Sequence, residues 1–346
     1  VEENRVERRS GAGTTRHSEK IVSSGGGGAL LAAPSPHLSL EGVTTRRMMA
    51  DVLVALAPAF AASVLVFGWY AVKQVGTCVL SCLAAEYLFH TVFRKKAMSL
   101  GDLSAVVTGV ILAMSLPWSA PCHVAVIASF AAIGFGKVIF GGLGMNIFNP
   151  AMVGRAFVMI SFSLAMGAGA YVAGAGPEIL TQATPLSAAK MQALSPALWP
   201  LFLGNVNGSL GETSALACLL GGIYLCWRKT ASWEIPASMI FSALLFGGLG
   251  LLAGVHPEIT LLHHLFGGAL LFGAFFIATD PVTSPVTFRG KVLFGGGIGF
   301  FVVLIRLFSG YPEGVMFAVL LMNAFTPLLN RWTVPLPLGG PVPERK

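Results

Sequence analysis

Charge is what this sequence most lacks. Asp, Glu, Lys and Arg make up 11% of its 346 residues, against roughly 25% in an ordinary soluble domain. A soluble enzyme of this length has too much surface to cover with so few polar groups, so that class is excluded, and so is a disordered chain. Cysteine is scarce too. The five, at 78, 82, 122, 218 and 226, are odd in number and contain no Cys-x-x-Cys pair. They exclude a small disulfide scaffold and leave no iron–sulfur ligand set unless a partner completes it; they read as small core residues. His256, His263 and His264 follow no standard metal spacing and read as surface or interface histidines, so no metal site is expected. A dinucleotide fingerprint in a strand–turn–helix setting is also missing. Gly295-Gly296-Gly297-Ile298-Gly299 lies inside an apolar run, where close helix packing accounts for it.

What the chain has in abundance is apolar sequence: 55% hydrophobic residues and a mean hydropathy of +0.76. This composition implies an all-α polytopic membrane protein. A spanning helix needs about 20 mostly apolar residues, because the hydrocarbon layer is about 30 Å thick. Ten segments qualify, near 50–70, 74–93, 103–117, 122–140, 150–174, 213–227, 236–255, 260–279, 292–308 and 314–330. Two of them, 103–117 and 213–227, are short and run into Pro- or Gly-containing sequence suited to half-helix or re-entrant backbone. The net charge of +7 then reads as a topology signal, with no nucleic-acid partner implied. With ten spans and a cytoplasmic N-terminus, 17 of the 22 Lys and Arg residues fall on the cytoplasmic side, and only Lys73 and Lys190 fall outside. That asymmetry fits the positive-inside rule.

The organisation expected is a cytoplasmic arm at 1–49, five helices in 50–174, a long outer loop at 175–212, five helices in 213–330 and a cytoplasmic tail at 331–346. The arm lacks the apolar core and cleavage site of a signal peptide, and its Ser-Ser-Gly-Gly-Gly-Gly tract at 23–28 reads as flexible. Five plus five gives two halves of opposite orientation. Pro117 and Pro121, after the third segment, recur as Pro281 and Pro285 after the eighth with a constant offset of 164. Gly144-Met145-Asn146-Ile147-Phe148-Asn149-Pro150 and Gly310-Tyr311-Pro312-Glu313-Gly314 break the chain at matching places before the fifth and tenth. An inverted repeat with broken helices is the expectation.

Charges inside such a bundle are costly, so each requires a partner or a cavity. They are Glu86, Asp102, Lys137, Arg155, Asp280 and Arg306. Glu86 is read as pairing with Arg94 or Lys95. Asp280 is read either as an oxygen ligand in a cation or flavin site, or as a residue that caps a helix or pairs with Arg289 at the cytoplasmic surface. Asn146, Asn149 and Asp280 are expected together near the pseudo-twofold axis, on the cytoplasmic half, where they either cradle a second flavin or an ion or serve as three ordinary caps.

Four segments then point to a family. They are Gly141-Gly142-Leu143-Gly144-Met145-Asn146-Ile147-Phe148-Asn149-Pro150-Ala151-Met152-Val153-Gly154, Thr181-Gln182-Ala183-Thr184-Pro185-Leu186, Phe275-Phe276-Ile277-Ala278-Thr279-Asp280-Pro281-Val282-Thr283, and the run from Gly310 to Asn323. In that order they resemble the RnfD/NqrB family: the RnfD component of Rnf electron-transport complexes and, more distantly, the NqrB component of sodium-pumping NADH:quinone reductases. The resemblance implies FMN bound covalently to Thr184 through a phosphodiester, with Glu178 where the family usually has Asp. It also implies a bacterial inner-membrane protein that completes no reaction alone, in a translocase moving electrons between ferredoxin and NAD and coupling them to Na⁺ or H⁺ movement. The partners implied are the other Rnf components: RnfA and RnfE in the membrane, the flavin carrier RnfG, the iron–sulfur protein RnfB and the NADH-binding RnfC, together with a flavin transferase for maturation. Riboflavin, present in the related pump component, is carried over as a second flavin only by that resemblance. NqrB of the quinone-reducing pump and a flavin-free ten-helix channel or secondary transporter remain the competing readings.

Overall fold

The computed structural model describes residues 44–94, 100–166, 186, 197–204, 206–256, 259–309 and 313–335. The arm up to residue 43, Thr184 with most of its loop, Lys95, Lys96, 310–312 and the tail beyond 335 lie outside the described residues. The described chain is helical, and each of the ten apolar segments corresponds to a helix. These are α1 (Thr45–Phe67), α2 (Trp69–Phe89), α3 (Ser104–Ser115), α4 (Cys122–Ile133), α5 (Pro150–Ser161), α6 (Ala215–Trp227), α7 (Glu234–Leu252), α8, α9 (Phe288–Phe308) and α10 (Val315–Thr333). The eighth, α8, is broken into Leu261–Phe266 and Leu270–Phe272, the second piece continuing as a π turn at Gly273–Ile277.

Five of these helices are long and apolar enough to cross a membrane: α1, α2, α7, α9 and α10. The others are shorter than the sequence pattern suggests, and local chemistry shows why. α3 stops at Ser115 because Pro117 cannot donate a helical hydrogen bond. α5 starts at Pro150, with the Asn149 side chain accepting from the amides of Ala151 and Met152, and breaks at Phe162 before one further turn at Ser163–Met166. α1 begins at Thr45, five residues before the expected boundary, because the Thr44 hydroxyl accepts from Arg47 N and caps it.

The packing order repeats along the chain. In the first half α2 packs on α3 and α4, and α4 packs on α5; in the second, α7 packs on α9, and α9 on α10. The first helices of the halves, α1 and α6, lie against each other, as do α5 and α10. Each of these second-half pairs has its counterpart five helices earlier. Glycines set the closest approaches. A Cβ on Gly299 would strike the Met239 carbonyl, and one on Gly295 the Ser238 side chain. The Gly-rich stretch of α9 is therefore the contact face with α7, as its sequence implies.

Candidate functional site

At one end of the bundle the two breaks meet. Asn146, Asn149, Pro150, Thr279, Asp280 and Pro281 line a single cleft together with Ser104, Thr108 and Lys137, and Phe275, Phe276 and Met49 supply apolar surface. The structure thus brings together the three residues named from sequence. It also shows Asn149 acting as a helix cap. Asn149 Oδ1 holds the start of α5, while its Nδ2 donates to Ile277 O at 3.3 Å, a bond between the two halves. Asn146 Nδ2 donates to Phe148 O. Asp280 accepts from Val282 N and from the Thr283 hydroxyl, each at 3.2 Å. Asp280 lies just past the end of α8, where burial pushes its carboxyl up from the usual range against the lowering effect of those two bonds. The expected pairing with Arg289 is not formed: among the described residues no ion pair joins them.

Lys137, which lines this cleft, belongs to a buried ion pair. It meets Glu86, Nζ to Oε1 at 2.5 Å; the side chains of Arg94 and Lys95, the partners expected for Glu86, lie outside the described residues. The π turn at Gly134–Val138 turns Lys137 inward, where it is 2% exposed. Its ammonium also donates to the Ser104 hydroxyl at 2.6 Å, and that hydroxyl donates to Asp102 at 2.7 Å. Spacing along the chain gives no hint of a partner 51 residues away.

The other end of the bundle carries a second buried pair. Arg306, 1% exposed, meets Glu313 at 2.9 Å. The guanidinium donates to His264 O at 2.6 Å and Gly267 O at 2.9 Å, carbonyls freed where α8 breaks. Glu313 accepts from Ala269 N, an amide freed on the far side of the same break. Cation on carbonyls and carboxylate on amide match the charges of the two helix ends. Glu212, in a 3₁₀ turn before α6, has its carboxyl pushed up by burial and by Glu313, and pulled down by Arg155, Ser209 and Arg306. Arg155 therefore belongs to this cluster. Glu212 escaped the sequence reading; its one signal was a carboxylate shortly before an apolar run.

His263 and His264 are buried within the chain at 2% and 1% exposure, which corrects their reading as surface or interface residues. His263 closes a capping box with Thr260, and His264 packs against Gly247 of α7. Cys78, Cys82 and Cys218 are buried and unbridged as expected, whereas Cys122 is exposed. No group of three metal-binding side chains occurs among the described residues.

Residues 31–339 match the model of the NQR2, RnfD, RnfE family. The chain is 40% identical over 316 residues, 88% of its length and 95% of the other protein, to the D subunit of the proton-translocating ferredoxin:NAD(+) oxidoreductase complex of Clostridium ljungdahlii. It is also 40% identical over 308 residues, covering 88% and 93% of the two chains, to the Na(+)-translocating counterpart from Acetobacterium woodii. The D subunit of an ion-translocating oxidoreductase complex from Actinobacillus succinogenes is 37% identical over 343 residues, covering 88% and 96%.

Proposed function

The chain belongs to the NQR2, RnfD, RnfE family, and from that premise we propose that it is the flavin-carrying membrane component of an ion-translocating ferredoxin:NAD oxidoreductase. The observation that carries this reading is end-to-end similarity to the D subunits of such complexes, over nearly nine-tenths of this chain. The chain works within a larger complex, with RnfA, RnfE, RnfG, RnfB and RnfC as its partners. It resides in a bacterial inner membrane with both termini cytoplasmic and the Thr184 loop outside. Na⁺ or H⁺ is the translocated ion; relatives of equal identity are named for one and the other.

Thr184 carries FMN through a phosphodiester. The flavin supplies the redox chemistry, while this chain positions it and sets its electrostatic surroundings. A bond through the phosphate leaves the ring free to lie against the bundle. The cleft at the opposite end is a second site, for riboflavin or for the ion. Its support is the donor set: two amides and a carboxylate at paired helix breaks, with aromatic rings beside them.

The direct test is Thr184→Ala. Replacing one loop hydroxyl leaves the fold and membrane insertion intact and abolishes covalent flavin, read as loss of fluorescence from the denatured chain on a gel. Retained fluorescence would end the assignment. For the cleft, Asp280→Asn is expected to slow electron transfer and ion movement in an assembled complex; wild-type rates for both would reduce Asp280 to a helix cap.

A further inference from the structure

The cleft at the meeting breaks has one lip that is held by charge. Exposure locates its mouth: Leu143 and Pro281 are exposed and Met48, Met49, Val52 and Thr230 half-buried, while Ala151 and Phe276 are buried. Asp51 sits between the lining residues of α1. Its carboxylate reaches across to the turn after α6, accepting from Arg228 Nη2 at 3.2 Å and from the Thr230 hydroxyl at 3.2 Å. Thr230 and its neighbour Ala231 line the same cleft. One side of the mouth is thus closed by a polar clasp between α1 and the end of α6.

Beneath the clasp the contact is of another kind. Asp51 and Ala55 share a face of α1, four residues apart. A Cβ on Gly221 of α6 would strike the Ala55 carbonyl, so there the two backbones touch. Pro58 lies inside α1 and cannot donate to the Val54 carbonyl, which weakens the helix beside that contact. One turn further out, side chains make the contact, and the Arg228 side chain is 33% exposed. Lys229 has φ +58, a left-handed conformation that a residue with a side chain keeps only where its surroundings hold it. The far end of the turn is anchored separately, by Lys291 Nζ donating to the Ser232 hydroxyl at 2.6 Å.

Resting on the reading of the cleft as a second site, we propose that Asp51, Arg228 and Thr230 form a latch on its mouth. A solute enters when the latch parts and the first turns of α1 swing about the Ala55–Gly221 contact. The structure is the latched state. The latch touches no reacting group; it sets the rate of entry and leaves the inner wall unchanged.

The test measures access and needs no electron transfer. Thr108, which is buried and lines the cleft, supplies the probe position as Thr108→Cys. The full chain is held in nanodiscs, with the exposed Cys122 and the half-buried Cys226 changed to Ser, and a bulky maleimide reports opening. Asp51→Ala is expected to raise the labelling rate at position 108 about tenfold, the scale of hydrogen bonds to a charged group. The rate at a cysteine introduced by Arg289→Cys, an exposed position, stays unchanged. Asp51→Arg combined with Arg228→Asp rebuilds the pair with its signs exchanged and returns the rate towards wild type. Should Asp51→Ala fail to accumulate, Arg228→Gln removes the pair from an exposed position and is expected to raise the rate in the same sense. An unchanged rate at position 108, or an equal rise at both cysteines, would mean that the clasp only staples two helices and would overturn the proposal. Wild-type electron transfer and ion movement in Asp280→Asn would instead remove the second site, and the solute of this proposal with it, while leaving the labelling rates as they are.

Discussion

Lys137 and Glu86 show how much one residue can carry in a medium without water. Each is nearly fully buried, and each neutralises the other at 2.5 Å. Glu86 Oε2 has no further partner among the described residues, so Glu86 depends on Lys137. Lys137→Met is expected to destabilise the protein by about 3–5 kcal/mol, because it strands a buried carboxylate. The double variant with Glu86→Gln should recover a large part of that loss, since no lone charge remains. Thermal unfolding of the two variants in detergent checks the ordering; a double variant no more stable than Lys137→Met would mean the pair is not coupled. The same scale explains what sequence reading could reach. Asn146, Asn149 and Asp280 were legible because Pro and Gly flag the breaks on which they sit. Glu86 and Arg155 were recognisable only as costly charges, and Glu212 not at all, because their partners are set by packing.

Among the elements, α7 and α9 depend most on small residues. Gly295 and Gly299 let α9 lie against the backbone of α7, and the Ser242 hydroxyl donates to Gly296 O at 2.7 Å across the contact. Helices in lipid associate by such close packing rather than by expulsion of water. Gly299→Leu is expected to push the pair apart and cost about 1–3 kcal/mol or more, as overpacking does. Gly296→Ala, where a Cβ meets nothing within 4 Å, should be nearly silent. Comparing the unfolding midpoints of the two variants in detergent tests this, and equal effects would contradict it. The break in α8 is the opposite device: freed carbonyls and a freed amide, held by Arg306 and Glu313 in place of a continuous helix.

Across the whole molecule, the ends of the segments fall into two sets. Asp51 near the start of α1 meets Arg228 and Thr230 after α6, and Lys291 near the start of α9 donates to Ser232. Lys137, Asn149 and Asp280 share one cleft. All of these come from positions that the counting of Lys and Arg puts at the cytoplasmic end. A lone cysteine introduced by Lys229→Cys is therefore expected to react with a membrane-impermeant reagent only after cells are opened, and one introduced by Lys190→Cys to react in intact cells. The reverse pattern would invert the topology. Sequence by itself determined the class, the ten helical segments, the placing of their breaks and the family, because hydrophobic length, Pro and Gly act locally and leave their mark in order along the chain. Tertiary structure alone decided which buried charges neutralise one another, that the breaks of the two halves share a cleft, and that Arg306 and Glu313 close the break in α8. Those outcomes depend on distances between residues far apart in sequence, such as the 51 between Glu86 and Lys137, and in a low-dielectric interior it is distance that sets their energy.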